Sequence, residues 1–284
     1  MTAPAEAGQT ARPDGLARPR ATATAGARAM AVRAFMFWLV NYRRTWRGTI
    51  YSSVLGPVLY LGAMGLGLGS LVDSHGTASL GHVSYLAFLA PGLMAANAMQ
   101  TAMDESLYPV FAAVKWQKTY QAAASTPLRP GDLYRGHILF TTMRLAMNIV
   151  IFLIIMVAFG AARSAWVLAA VPVALLTGLA FAAPLDAFAV TQEKNDQAFA
   201  MIFRFGLIPL FLFSGTFFPV TQLPVLVRPL AYATPLWHGV ALCRSLSLGT
   251  ADWPGALGHV GYLAAIAVIG LVAGQRTYRR RLYV

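Results

Sequence analysis

Apolar windows of roughly twenty residues recur along the chain, each long enough to cross about 30 Å of hydrocarbon as a helix. The pattern predicts three in the first half: IYSSVLGPVLYLGAMGLGLGSLV (50–72), VSYLAFLAPGLMAANAMQTAM (83–103) and HILFTTMRLAMNIVIFLIIMVAFG (137–160). The second half gives AWVLAAVPVALLTGLAFAAPL (165–185), AFAMIFRFGLIPLFLFSGTFFP (198–219) and ALGHVGYLAAIAVIGLVAG (256–274). Pro57, Pro91, Pro172 and Pro209 fall inside these windows, where neighbouring helices re-satisfy the backbone groups a proline frees. The expected fold is an all-α polytopic membrane protein with six transmembrane helices.

Two further stretches carry a pattern without being windows. MAVRAFMFWLVNYRRTWRG (30–48) sets Phe35, Leu39, Tyr42 and Trp46 on one helical side, with Arg43, Arg44 and Arg47 near its end. It is expected to lie as an interfacial helix in the headgroup layer, or else to be a basic flank of the first span. The segment 218–249 is too broken by proline to span and too apolar for a solvated loop. Two short re-entrant helices, around 223–230 and 236–246, would reconcile both facts and turn His238 and Arg244 toward headgroups or the mouth. A surface-lying loop with snorkelling polar tips is the alternative.

Composition agrees: of 284 residues, 57% are hydrophobic and 11% charged, where a soluble domain carries about 25% charged. The net charge of +12 suggests nucleic acid, yet the arginines sit beside the apolar windows and form no separate basic domain. No nucleic-acid partner is expected. Position also orients the chain, because basic residues stay on the cytoplasmic side. Eight precede the first span, four lie between spans 2 and 3, one between spans 4 and 5, and four follow span 6. Those 17 stand against Arg163, Arg228 and Arg244 on the other face, with Arg144 and Arg204 inside spans. Both termini are expected in the cytoplasm. Residues 1–29, rich in Ala, Arg, Pro and Thr, read as a disordered tail ahead of one membrane domain over 30–284.

Much chemistry is excluded. None of the three lysines, Lys115, Lys118 and Lys194, can complete a GxxxxGK[ST] phosphate loop. The single Cys243 and five scattered histidines offer no metal spacing, so no metal and no cofactor are expected in this chain. Asp104, Glu105, Asp186, Glu193 and Asp196 fall at span edges, which weakens a proton-driven carrier. Ser214 lacks the glycine two residues before it that an intramembrane protease would show. Gly65/Gly69 and Gly270/Gly274 form GxxxG pairs suited to close helix contact, within one subunit or between two.

The polar interruption KWQKTYQAAASTPLRPGDLYRG (115–136) then stands out. Helix formers run from Lys115 to Ala124, Thr126 precedes Pro127, Arg129-Pro130-Gly131 makes a turn, and Asp132 suits an N-cap. Trp116 and Tyr120, four apart, would share one face flanked by Lys115 and Lys118. Such a face suits docking into a partner's groove, or anchoring in headgroups.

KTYQAAASTPLRPGDLYRGHI resembles the coupling-helix region of type-2 ABC exporter permeases, most of all the nodulation lipo-oligosaccharide and daunorubicin-type drug exporters. FLAPGLMAANAMQ (88–100) and FSGTFFPVTQLPVLVRPLAYATPLWH (213–238) resemble the same family, and the likeness covers about residues 30–284. It implies a homodimeric exporter of an amphipathic drug-like, lipid or lipo-oligosaccharide cargo in a bacterial cytoplasmic membrane. Two copies of a separate ATP-binding subunit would carry MgATP, leaving this chain non-catalytic. Docking would fall to Trp116, Lys118, Thr119, Tyr120, Thr126, Pro127, Leu128 and Arg129, tilting spans 2 and 3. The pathway would use Met94, Asn97, Gln100 and Thr101 for polar groups and Phe203, Phe205, Phe213, Phe217 and Phe218 for the lipidic part. Arg144 and Asn148 would bind an anionic headgroup or bond between helices. Rival readings are a proton- or ion-driven carrier and a membrane enzyme acting on lipids.

Overall fold

A computed structural model describes residues 25–76, 80, 82–192 and 197–282. Most of the expected tail, together with Glu193 and Asp196, lies outside these described residues. Every regular element among the described residues is a helix, with no strand. Four helical stretches are long and apolar enough to cross a membrane: Arg28–Ser74, Pro130–Ala158, Ala165–Ala189 and Trp253–Leu282.

The first, α1 (Ala25–Tyr60), begins inside the expected tail and runs without a break into widened turns over Leu61–Leu68, ending as Gly69–Ser74. The sequence suggested a separate interfacial helix followed by a span. No proline interrupts residues 30–48, so the helix simply continues. Pro57 lies in the last turn of α1, and the widening begins four residues after it. The face turned to the bundle is also displaced. Ala34 and Trp38 are buried, Tyr42 is half-buried, and Trp46 remains exposed.

Helix α2 (Tyr85–Ser106) starts at Ser84, whose hydroxyl accepts the Ala87 N–H at 3.4 Å. Its alanines and glycine let neighbours approach so closely that nearly every side chain is buried. A short helix α3 (Tyr108–Phe111) with a wide turn over Ala112–Trp116 follows, then α4 (Thr119–Ala124). Helix α5 (Pro130–Ala158) is capped by Arg129, not by Asp132 as expected. Asp132 sits three residues in, and its carboxylate accepts the Arg129 backbone N–H at 3.3 Å. Proline suits the first helical position because that N–H has no intrahelical partner anyway.

Helix α6 (Ala170–Ala189) follows a tighter turn over Ala165–Ala169. Helix α7 (Gln197–Phe213) stops six residues before the expected end of its window, which reached 219. Ser214 to Pro219 are irregular, and Gly215 takes φ 80°, a conformation that costs glycine least. The two short helices that follow are α8 (Arg228–Tyr232) and α9 (Pro235–Leu248), the first shifted toward the C-terminus of its expected place. Helix α10 (Trp253–Leu282) extends past its apolar window to include the terminal arginines.

Both GxxxG pairs pack inside the subunit. A methyl group on Gly274 would strike the Tyr134 ring, and one on Gly270 would strike Pro184 of α6. Gly65 is pressed against Leu86 of α2 in the same way, whereas a methyl on Gly69 would meet Tyr85 at an ordinary 3.7 Å. These close approaches seat α10 on α5 and α6, and the end of α1 on α2.

Candidate functional site

Three polar arrangements interrupt the apolar bundle. The first is a cleft of about 230 Å³ between α1, α2 and α5. At its back, Arg144 Nε donates to Glu105 Oε1 at 2.8 Å and Nη1 donates to the Tyr42 hydroxyl at 3.0 Å. The guanidinium also lies over the Tyr42 ring, 4.6 Å from its centre. Deeper along α5, Asn148 Nδ2 donates to Thr101 at 3.0 Å while its Oδ1 accepts the Ser53 hydroxyl at 2.7 Å. Polar groups between membrane helices are costly unless paired, and here they pair with one another. Arg144 and Asn148 therefore bond between helices. The Glu105 carboxylate neutralises the guanidinium, which argues against an anionic headgroup bound there. Asn97, Gln100 and Asp104 line the same cleft from α2, adding amides and a carboxylate to its wall.

The structure divides the expected pathway residues. Thr101, Asn97 and Gln100 share the cleft, but Met94 is fully buried inside the bundle and faces no opening. The phenylalanines scatter along α7 and beyond it. Phe203 stacks on Tyr108 at 6.1 Å, while Phe217 packs against Tyr60 and Phe211. Phe205 and Phe213 are exposed, and Phe218 packs over Val220, Leu223 and Ala231. They make no single pocket with the cleft amides.

The second arrangement is the segment between α2 and α5. The sequence suggested one helix with Trp116 and Tyr120 on a common face. A break at Lys118, in the left-handed conformation at φ 52°, separates them instead. Thr119 Oγ1 donates to the Ala113 carbonyl at 3.2 Å, and Gln121 Nε2 to the Val114 carbonyl at 2.6 Å, folding α4 back on the preceding turn. The two aromatic residues thus part ways. Trp116 is 64% exposed, edge-on to Phe111, whereas Tyr120 is 2% exposed beneath the segment. Lys118, Thr126, Pro127 and Arg129 are exposed beside Trp116, with Thr119 and Leu128 half-buried. Thr126 Oγ1 donates to the Ala123 carbonyl at 2.7 Å and accepts the Leu128 N–H at 3.3 Å, which stiffens the turn. A groove of about 520 Å³ alongside is lined by Arg33, Phe37 and Arg44 of α1 together with Gln117 and Thr119. The exposed surface is aromatic and basic, held by backbone-directed bonds.

The third arrangement lies between α7 and α9. Arg244, expected at headgroups or the mouth, instead donates to the carbonyls of Phe88, Gly215 and Thr216 at 3.0, 2.8 and 3.2 Å. Its guanidinium rests 3.7 Å from the centre of the Phe88 ring. Irregular backbone at membrane depth needs such donors, and one planar fork supplies them to 215–216. Nearby, His238 Nδ1 and His259 Nδ1 lie 2.7 Å apart, and His238 stacks on Tyr262 at 4.0 Å. Burial, then the neighbouring His259, pushes the His238 pKa down to about 4. The broken turn after Phe213 could have been read from Gly215 and Pro219. Its partner Arg244, 29 positions from Gly215, leaves no local trace in sequence.

A family model described as ABC-2 type transporter matches residues 28–248. Nodulation protein J of Rhizobium leguminosarum bv. trifolii is 33% identical over 254 residues, covering 86% of this chain and 94% of that protein. Nodulation protein J of Rhizobium meliloti (strain 1021) is 30% identical over 252 residues, covering 86% and 94%.

Proposed function

From the premise that the chain belongs to the ABC-2 type transporter family, we propose that it is the membrane permease of an ATP-driven exporter. Six helices, α1, α2, α5, α6, α7 and α10, would span a bacterial plasma membrane with both termini in the cytoplasm. Two copies would pair around the pathway, and two copies of an ATP-binding subunit would dock beneath them. The cargo is an amphipathic molecule of the drug, lipid or lipo-oligosaccharide class. Hydroxyls or amides on its headgroup suit the cleft amides Asn97 and Gln100, and exposed Phe205 and Phe213 suit its apolar part.

The observation that carries this reading is the segment around Trp116. A stiff, exposed, aromatic and basic surface stands between two long helices, in a chain that has no phosphate loop of its own. Fuel must then come from a second protein. The test is co-purification with a co-expressed ABC-type ATP-binding protein, followed by ATPase assays in lipid vesicles. Trp116→Ala should weaken pairing about tenfold, as an interface aromatic does, while changing folding stability by less than about 0.5 kcal/mol. Pairing unaffected by Trp116→Ala together with Lys118→Glu would defeat the assignment of this surface.

A second reading, a proton- or ion-driven carrier, gains one observation. Asp186 sits in the last turn of α6, at the span edge as expected, yet it faces into the bundle. It is wholly buried in α6 and lies 2.8 Å from His137. Transport that needs no ATP-binding protein and stops when the proton gradient is collapsed would decide for that reading.

A further inference from the structure

The buried Asp186 is the centre of a cluster that neither the cleft nor the exposed docking surface uses. One carboxylate oxygen accepts the Tyr278 hydroxyl at 2.6 Å, and the other lies 2.8 Å from His137 Nδ1. His137 belongs to α5 and Tyr278 to α10, so one carboxylate on α6 ties three helices together. Rings enclose it. Trp38 of α1 lies 4.6 Å from the His137 ring, and Tyr134 of α5 lies 5.0 Å from the Tyr278 ring. The lid of the enclosure is Tyr120 of α4, whose ring is 6.0 Å from Tyr278 and 6.4 Å from Trp38.

Simple packing does not call for this chemistry. A carboxylate inside a helix bundle costs several kcal/mol of desolvation, and apolar side chains of similar volume often serve stability as well. What the short, charge-assisted bonds add is direction, since they hold three helix ends at set distances. The one member that comes from outside the long helices is Tyr120, on the underside of the segment whose outer side carries Trp116. A push on that segment therefore meets Tyr278 and Trp38 as well as the two helices to which the segment is joined by the chain.

We infer that Tyr120, Tyr278, Asp186 and His137 are positioning residues that deliver displacement of the docking segment to α6 and α10. The inference rests on the exporter reading and goes beyond it. By covalent connection alone, the movement would enter α2 and α5.

The experiment uses the complete complex with its ATP-binding subunit in lipid nanodiscs. Amide hydrogen exchange is compared between the nucleotide-free and ATP–vanadate-trapped states. In the wild type, trapping should alter exchange both at the start of α5 (130–137) and in the last turns of α10 (276–282). Tyr278→Phe keeps the ring and removes one hydrogen bond, and Tyr120→Leu removes the lid. Each should reduce the α10 response about twofold or more while leaving the α5 response intact, and Tyr278→Phe, outside the docking segment, should also leave the pull-down yield intact. A purely structural clamp would lower thermal stability and leave the ratio of the two responses unchanged, which would overturn the inference. A wild-type α10 that does not respond, or variants that lose both responses equally, would also overturn it. Failure of the wild type to pair with any ATP-binding protein is a separate result, and it removes the exporter reading itself.

Discussion

Two buried hubs hold opposite ends of the bundle, and they handle charge in different ways. At one end Asp186 collects side-chain donors from two regular helices. At the other, Arg244 gives its donors to three backbone carbonyls, two of them in the irregular stretch after α7. The first hub joins finished helices, whereas the second completes a backbone that could not otherwise be buried. Losing the first should loosen the relation between helices. Losing the second should unravel one segment.

The comparison breaks most visibly at Asp186. Asp186→Ala leaves the His137 and Tyr278 donors buried without an acceptor, at a cost of about 3 kcal/mol or more. Thermal unfolding in detergent measures it, and a loss below that of Arg244→Met would reverse the ranking of the hubs. Arg244→Met should cost about 2 kcal/mol and expose residues 214–219 to protease, with the rest of the chain still protected. General proteolysis would show that the second hub is not local.

A smaller effect sharpens the geometry of the second hub. A methyl group on Gly92 would sit 2.9 Å from Arg244 Nη2 and 3.1 Å from the Thr216 carbonyl oxygen. Gly92→Ala should cost about 1–2 kcal/mol by overpacking, while Gly261→Ala, with open space around it, should be nearly silent. Smallest is the response to acid. With its folded pKa near 4, His238 stays neutral where an unfolded histidine takes a proton at about 6.5. Stability near α9 is thus fully present above pH 7 and declines as pH falls through that interval. His259, Trp237 and Tyr262 face the ring, so among the described residues no carboxylate is placed to offset the proton. Melting curves at pH 7.5 and 5 should differ for the wild type and differ less for His238→Gln.

The helical framework was legible because hydrophobic windows report burial in lipid or protein directly. Each expected span overlaps a helix. What escaped was set by partners far along the chain. Asp186 meets residues 49 and 92 positions away, so a carboxylate at the edge of an apolar window gave no sign of its burial. Lys118 breaks the segment between α2 and α5 without a glycine or proline to announce it. Met94 and Asn97, three apart, point to different surroundings, because α2 is packed on nearly all sides and only a narrow polar wall stays open. Nor could periodicity show that the helix begun at Ala25 would not stop before the first span.

That continuity has a mechanical corollary. From Trp38 to Tyr60 the backbone is one continuous helix of about 33 Å, with Pro57 in its last turn. Trp38 is seated beside the Asp186 hub, Ser53 bonds into the polar cleft, and Tyr60 rests against Phe217. Tipping the helix at its lower seat swings the cleft wall and the aromatic contact at its top in the same stroke. Opening one while holding the other still would require a bend at Pro57, the one proline between them.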